Sequence, residues 1–169
     1  MVDDRFRTIF LGEFDFACRS LRRLGVREAD VHDVAQDLFI GVHRTIDTYD
    51  PTRSPRAWLM GFAVRYAANY RRLGWHRGDE LRDDAPLPSP RMTDRLAARQ
   101  LVERGLDALD FDKQVALVMH DLEGISAPEI AAELGIPLNT VYSRVRLARA
   151  SFKSAIAALE TAGGDGGRS

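Results

Sequence analysis

"SAPEIAAELGIPLNTVYSRVRLARASF", Ser126 to Phe152, is the stretch that decides the fold. Ser126 and Glu129 have the S-x-x-E spacing of a capping box, which supplies partners for the free N–H groups of a helix start. Ile130, Ala131 and Leu134 follow at helical spacing, with Ala131 small enough for a second helix to cross closely. Gly135 permits the left-handed backbone that ends a helix, and Pro137 suits the first turn of the next. Two helices joined by so short a turn read as a helix-turn-helix.

The second helix carries the chemistry. Residues placed at about 100° steps put Val141, Val145, Ala148, Phe152, Ile156 and Leu159 on one stripe. Asn139, Ser143, Arg146, Ala150 and Lys153 fall opposite, with Tyr142 and Arg149 on one flank and Arg144 on the other. Together with Thr140 these side chains form a cationic, hydrogen-bonding outer face. Such a helix fits the DNA major groove, its early residues reaching bases and its arginines holding phosphates or guanine.

Outward from this pair the chain is helical throughout. Apolar residues recur at helical spacing from Arg5 to Leu24, and Gly25 ends that helix. Asp30 caps a helix running to Ile46, which buries Val31, Val34, Ala35, Leu38 and Val42. Its other side carries Asp33, Gln36, Asp37, Ile40 and Arg44. A lone exposed isoleucine is ordinary on any surface, or else a small docking patch with a charged rim. "DTYDPTRSP", Asp47 to Pro55, is a loop, and Ser54 with Pro55 starts a helix that continues to Arg77.

That third helix carries Arg56, Arg65, Arg71, Arg72 and Arg77, with no acid before Asp79. Arg65, Asn69, Arg72 and His76 share a face, interleaved with Tyr66, Tyr70 and Trp75. Charge for a backbone and flat rings for bases are what a single-strand track needs. Trp58, Leu59, Phe62, Tyr66 and Leu73 read equally as a core stripe.

"GDELRDDAPLPSP", Gly78 to Pro90, breaks the pattern with acids and alternating prolines, and reads as a flexible linker. Further helices are expected over Thr93–Leu109, Asp112–Leu122, Ala127–Leu134 and Leu138–Leu159. The expected architecture is all-α: a domain over residues 1–77, a linker over 78–92, a helix-turn-helix domain over 93–160 and a disordered tail over 161–169.

Composition narrows the function. The chain has 169 residues, 45% hydrophobic and 29% charged, which suits one globular domain or two small ones. No apolar run reaches the roughly 20 residues of a membrane span, and no secretory signal opens the chain. Cys18 is the only cysteine, so no internal disulfide forms and a cytoplasmic setting is expected. It lies on an apolar stripe with Phe14, Ala17 and Leu21, as a small buried hydrophobe does, though a redox handle is the other reading. His32, His43, His76 and His120 are scattered, with no metal-ligand spacing and no catalytic motif. No enzyme activity, metal or cofactor is expected. A stand-alone helix-turn-helix regulator and a purely protein-binding bundle are the rival classes, the first marked by specific duplex binding without a partner and the second by no DNA dependence.

"DVHDVAQDLFIGVHRTIDTYDP", "AWLMGFAVRYAANYRR" and "LEGISAPEIAAELGIPLNTVYSRVRLAR", in that order, resemble the extracytoplasmic-function sigma factors of RNA polymerase, in the sigma-70 family. The resemblance covers Phe6 to Leu159. It implies that the first domain docks on the polymerase clamp helices through Asp33, Gln36, Asp37 and Ile40. It implies that the loop Asp47–Arg53 pockets a base flipped from the non-template strand of the minus-ten element, with Tyr49 in its wall. Arg53, Arg56, Arg65, Asn69 and Arg72 then hold the opened strand. The second domain reads the minus-thirty-five duplex with Asn139, Thr140, Tyr142, Ser143, Arg144, Arg146, Arg149 and Lys153, and touches the polymerase flap. An anti-sigma factor is a further possible partner. Arg65 and Leu147 depart from residues common in the family at those positions, so the resemblance does not fix the promoter sequence.

Overall fold

The computed structural model describes residues 3–76 and 94–164. They form helices α1 (Asp4–Arg23), α2 (Val31–Arg44), α3 (Pro55–His76), α4 (Asp94–Asp107), α5 (Phe111–Leu117), α6 (Ala127–Leu134) and α7 (Leu138–Gly164). A short 3₁₀ turn, Ile46–Thr48, links α2 to the loop before α3. Among the described residues there is no strand, as expected of an all-α chain.

Helices α1, α2 and α3 pack on one another. Leu21, Leu24, Val31, Ala35, Leu38, Val42, Leu59 and Met60 lie between them, fully or almost fully buried. Phe39, read from the sequence as neither core nor surface, is also buried. Cys18 is buried, and burial raises its thiol pKa, which fits the small-hydrophobe reading. Gly41 lets α2 approach α3: an added Cβ would sit 2.5 Å from the Tyr66 hydroxyl oxygen.

Helices α4 to α7 form the second bundle around Leu106, Val118, Met119, Ile130, Val141, Val145 and Ala148. Gly105 is required where α4 meets α7, because a Cβ there would lie 2.7 Å from Ile156 Cδ1. The capping box is present: Ser126 Oγ accepts from the Glu129 N–H, and the Glu129 carboxylate accepts from the Ser126 N–H. Gly135 adopts φ +64°, the left-handed state that turns α6 into α7.

Several details differ from the sequence expectations. Asp30 stands at the start of α2, yet its carboxylate makes no cap bond. It accepts instead from Tyr70 Oη at 2.5 Å and from Arg27 Nε at 3.1 Å, tying α3 to the α1–α2 loop. Tyr70 is thereby a structural residue. Leu73 is exposed rather than part of the core. The helix expected over Asp112–Leu122 is α-helical only to Leu117, and Val118–Leu122 is a π turn. The wider turn is closed by Glu123 N–H to Val118 O and Ile125 N–H to Met119 O. Helix α7 runs past Leu159 to Gly164, since alanine-rich "AIAALETA" favours helix and the Thr161 hydroxyl donates back to Ala157 O. The expected linker core, the Trp75 and His76 side chains, and residues 165–169 lie outside what is described.

The two bundles touch. The buried Gln114 side chain donates to Arg23 O at 2.7 Å and accepts from Arg71 Nη1 at 3.1 Å. Glu123, whose side chain is 4% exposed, pairs with Arg23 at 2.6 Å. The Arg71 guanidinium also lies over the Phe111 ring, 4.9 Å from its centroid.

Candidate nucleic-acid and polymerase interfaces

The outer face of α7 is open. Asn139, Tyr142, Ser143, Arg146, Arg149 and Lys153 are exposed, while Thr140 and Arg144 are half-buried. Val141, Val145 and Ala148 are buried beneath, so the inner stripe holds the outer face in register. Two of the arginines are already held. Arg149 makes two hydrogen bonds of 2.7 Å to the Asp121 carboxylate, and Arg144 pairs with Asp112 at 2.9 Å. The bonds from Arg149, helped by His120, lower the Asp121 carboxyl to about 2. Arg146, near the middle of the face, is exposed, and so is the apolar Leu147 beside it.

On α2, Asp33, Gln36, Asp37 and Ile40 share one exposed side, with Ile40 51% exposed. A cleft of about 400 Å³ runs beside them, lined by Phe6, Phe10, Gln36, Phe39, Ile40 and His43. The phenylalanines of α1 read from the sequence as core alone. Phe6 and Phe10 are half-buried and extend the apolar surface around Ile40. Their spacing on α1 was a visible signal, but only the fold places them next to α2.

The loop before α3 is also shaped. Tyr49 packs against Trp58 with ring centroids 4.8 Å apart and planes tilted by 36°, and its hydroxyl donates to Arg53 O at 2.8 Å. Trp58 meets Phe62 edge-on at 5.0 Å, and the Arg65 guanidinium lies 4.5 Å from the Phe62 centroid. Trp58 and Phe62 therefore join the core and line the cleft beside the loop at once. Arg65 and Asn69 line an adjoining cleft with Arg44 and Thr45, and Asn69 accepts a hydrogen bond from Arg72 at 2.7 Å. Arg56 is not brought to this group: it pairs with Glu13 at 2.9 Å and lies over Phe16 of α1. Arg53 is 2.7 Å from Glu133 of α6, a partner the sequence did not point to.

Among the described residues, no group of three or more His, Cys, Asp or Glu side chains could hold a metal ion. Among them, too, no helix is long and apolar enough to cross a membrane.

Comparison with known proteins agrees with this arrangement. Residues 14–77 match the family model for sigma-70 region 2, and residues 99–152 match that for sigma-70 region 4. The chain is 30% identical over 150 residues to the RNA polymerase sigma factor CnrH of Cupriavidus metallidurans, covering 80% of this chain and 78% of that one. It is 27% identical over 173 aligned positions to the ECF RNA polymerase sigma-E factor of Escherichia coli K12, covering 93% and 90%. The solved structure of CnrH in complex with the cytosolic domain of CnrY superposes with a TM-score of 0.67 at 29% identity, covering 90% of this chain and 88% of that one. The sigma factor RpoE of Bartonella quintana, solved with the anti-sigma factor NepR, shares the fold with a TM-score of 0.72 at 20% identity, covering 89% and 96%. With region 2 on α1–α3, region 4 on α4–α7 and relatives matched across both, the chain belongs to the extracytoplasmic-function group of sigma-70 family RNA polymerase sigma factors.

Proposed function

We propose that this sigma factor binds core RNA polymerase through the exposed side of α2 and reads its promoter at two places, as duplex with α7 and as opened strand with α3 and its preceding loop. The observation that carries the duplex reading is the geometry of α7. Its apolar stripe is buried and its cationic face is exposed, behind a capped α6 and a left-handed Gly135. The strand reading is supported by the tilted Tyr49–Trp58 ring pair beside Arg53 and Arg65. The polymerase reading is supported by Ile40 within a polar rim of Asp33, Gln36 and Asp37.

No catalytic step belongs to the chain; nucleotide addition is the work of the polymerase. Its contribution is selection and opening. Unpairing costs on the order of 1–2 kcal/mol per base-pair step. Stacking a captured base returns roughly 1–3 kcal/mol, so capture offsets opening without a fuel molecule. Work beside the polymerase places the protein in the cytoplasm. An anti-sigma factor covering one of these faces is the regulator that fits, as NepR partners the RpoE of Bartonella quintana.

Run-off transcription with core polymerase on a genomic DNA library, with sequencing of the start sites, tests the proposal. Discrete starts sharing two upstream elements, obtained only when the protein and core enzyme are combined, are the expected result. Specific duplex binding by the protein alone, with no effect on initiation, would support a stand-alone regulator instead.

A further inference from the structure

We infer that Glu133 of α6 acts as an internal substitute for a strand phosphate, clasping Arg53 so that this end of the single-strand face is covered while the middle of the duplex-reading face stays open. This rests on the proposal that α3 and its preceding loop hold the opened strand. Arg53 Nη2 lies 2.7 Å from Glu133 Oε1, and the Glu133 side chain is only 11% exposed. Its other oxygen is 3.1 Å from where a Cβ on Gly61 would stand, so α6 sits directly on α3. Glu133 and Leu134 wall a cleft of about 470 Å³ whose other sides include Trp58, Phe62 and Arg65. A carboxylate on an arginine, beside aromatic rings, occupies the position that a phosphate followed by a stacked base would need.

The contrast with α7 gives the clasp its meaning. Asn139, Ser143, Arg146 and Lys153 remain exposed in the same arrangement. Duplex DNA reaches the exposed Arg146 and Lys153 of α7 directly, although Arg144 and Arg149 are paired with Asp112 and Asp121, whereas a single strand reaches Arg53 only by displacing Glu133. The bundles are also held at a second place, where Gln114 is buried and Glu123 pairs with Arg23. The Gln114 and Glu123 side chains are buried in that seam, while Arg53 is 43% exposed. The clasp is therefore the contact that water, salt and a competing phosphate reach first. The order of events follows: duplex engagement precedes strand capture, and capture exchanges one anion for another on Arg53.

The test uses the full-length protein, a fluorescein-labelled 12-nucleotide single-stranded DNA of mixed sequence, and a labelled duplex as control. Glu133→Gln should tighten single-strand binding about 2–5-fold, the worth of a partly exposed ion pair. Glu133→Asp keeps the charge but shortens the reach, and should tighten it as well. Glu160→Gln, the same loss of charge on the outer end of α7, should leave it unchanged, and duplex binding should match wild type in all three. Hydroxyl-radical footprinting reads the clasp independently of DNA: Trp58 should become more reactive in Glu133→Gln. Unchanged Trp58 reactivity together with unchanged strand binding would overturn the inference, because no clasp would exist in solution. Greater Trp58 reactivity with unchanged strand binding would also overturn it, by showing that the uncovered face does not hold the strand. Equal gains in Glu133→Gln and Glu160→Gln would reduce the effect to net charge and overturn it too. The wider functional proposal fails by a different observation, the absence of specific initiation with core polymerase.

Discussion

Replacing Asp121 by asparagine separates the structural work of Arg149 from its work on DNA. Asp121 sits in the π turn after α5 and receives both hydrogen bonds of Arg149, each 2.7 Å long. Those bonds lower its carboxyl from 3.8 to about 2. At about 1.4 kcal/mol for each tenfold change in acidity, that fall would be worth about 2.5 kcal/mol. Arg149 is 57% exposed, however, and water screens the pair, which leaves about 1 kcal/mol. Because the folded-state pKa lies below the unfolded one, this stability is fully present above about pH 4. It is lost as pH falls toward 2. Urea unfolding should show Asp121→Asn less stable than wild type by about 1 kcal/mol at pH 7, and by roughly half as much at pH 3. Arg149, released from its carboxylate, should bind promoter duplex no more weakly than before, and about 2–5-fold more tightly at low salt. Equal stability at pH 7, or a difference that does not shrink toward pH 3, would refute the account of the pair. Weaker duplex binding at matched stability would show that Asp121 orients Arg149 for DNA.

Three other outcomes are expected. Arg146→Ala should weaken promoter duplex binding by about 1–3 kcal/mol without loss of thermal stability, as measured by fluorescence anisotropy at several salt concentrations. Replacing both Gln36 and Asp37 by alanine should reduce association with core polymerase in co-purification while the circular dichroism spectrum and unfolding midpoint stay close to wild type, since both side chains are exposed. Ser126→Ala removes the hydroxyl of the capping box and should cost about 1 kcal/mol in urea unfolding, with a parallel loss of duplex affinity because α6 sets the position of α7.

The helix-turn-helix was legible because its signals are local. The cap, the left-handed glycine, the proline and the 3.6-residue stripe all lie within one short window, and each acts on the backbone beside it. The acidic side of α2 was legible for the same reason. What the sequence did not convey depends on elements meeting across the chain. Arg53 and Glu133 are 80 positions apart, Arg23 and Gln114 are 91 apart, and Arg23 and Glu123 are 100 apart. No periodicity encodes such pairs. Glu133 reads as one more solvated acid on the outside of a helix until α3 is laid against it. Likewise, the wide turn at Val118–Leu122 has no glycine or proline to announce it, yet it carries Asp121 to Arg149 and leads into Glu123, which meets Arg23.

These long-range pairs also bear on why a DNA-binding chain has a formal net charge of −1. The acids are not spread at random over the surface. Glu13 holds Arg56, Glu133 holds Arg53, Asp112 holds Arg144 and Asp121 holds Arg149, all at 2.7–2.9 Å. Arg53, Arg144 and Arg149 are arginines proposed to meet DNA, and each is fixed by a carboxylate that a phosphate could replace at similar geometry. Such pairing limits indiscriminate attraction to nucleic acid, because an arriving phosphate must displace an anion already in place. Arg146 stands exposed among them, with no carboxylate partner among the described ion pairs, and is the arginine proposed to meet the duplex first. The consequence is a specific salt response. The number of counterions released on duplex binding should be smaller than the number of arginines in the interface, and should rise when Asp112 or Asp121 is neutralised.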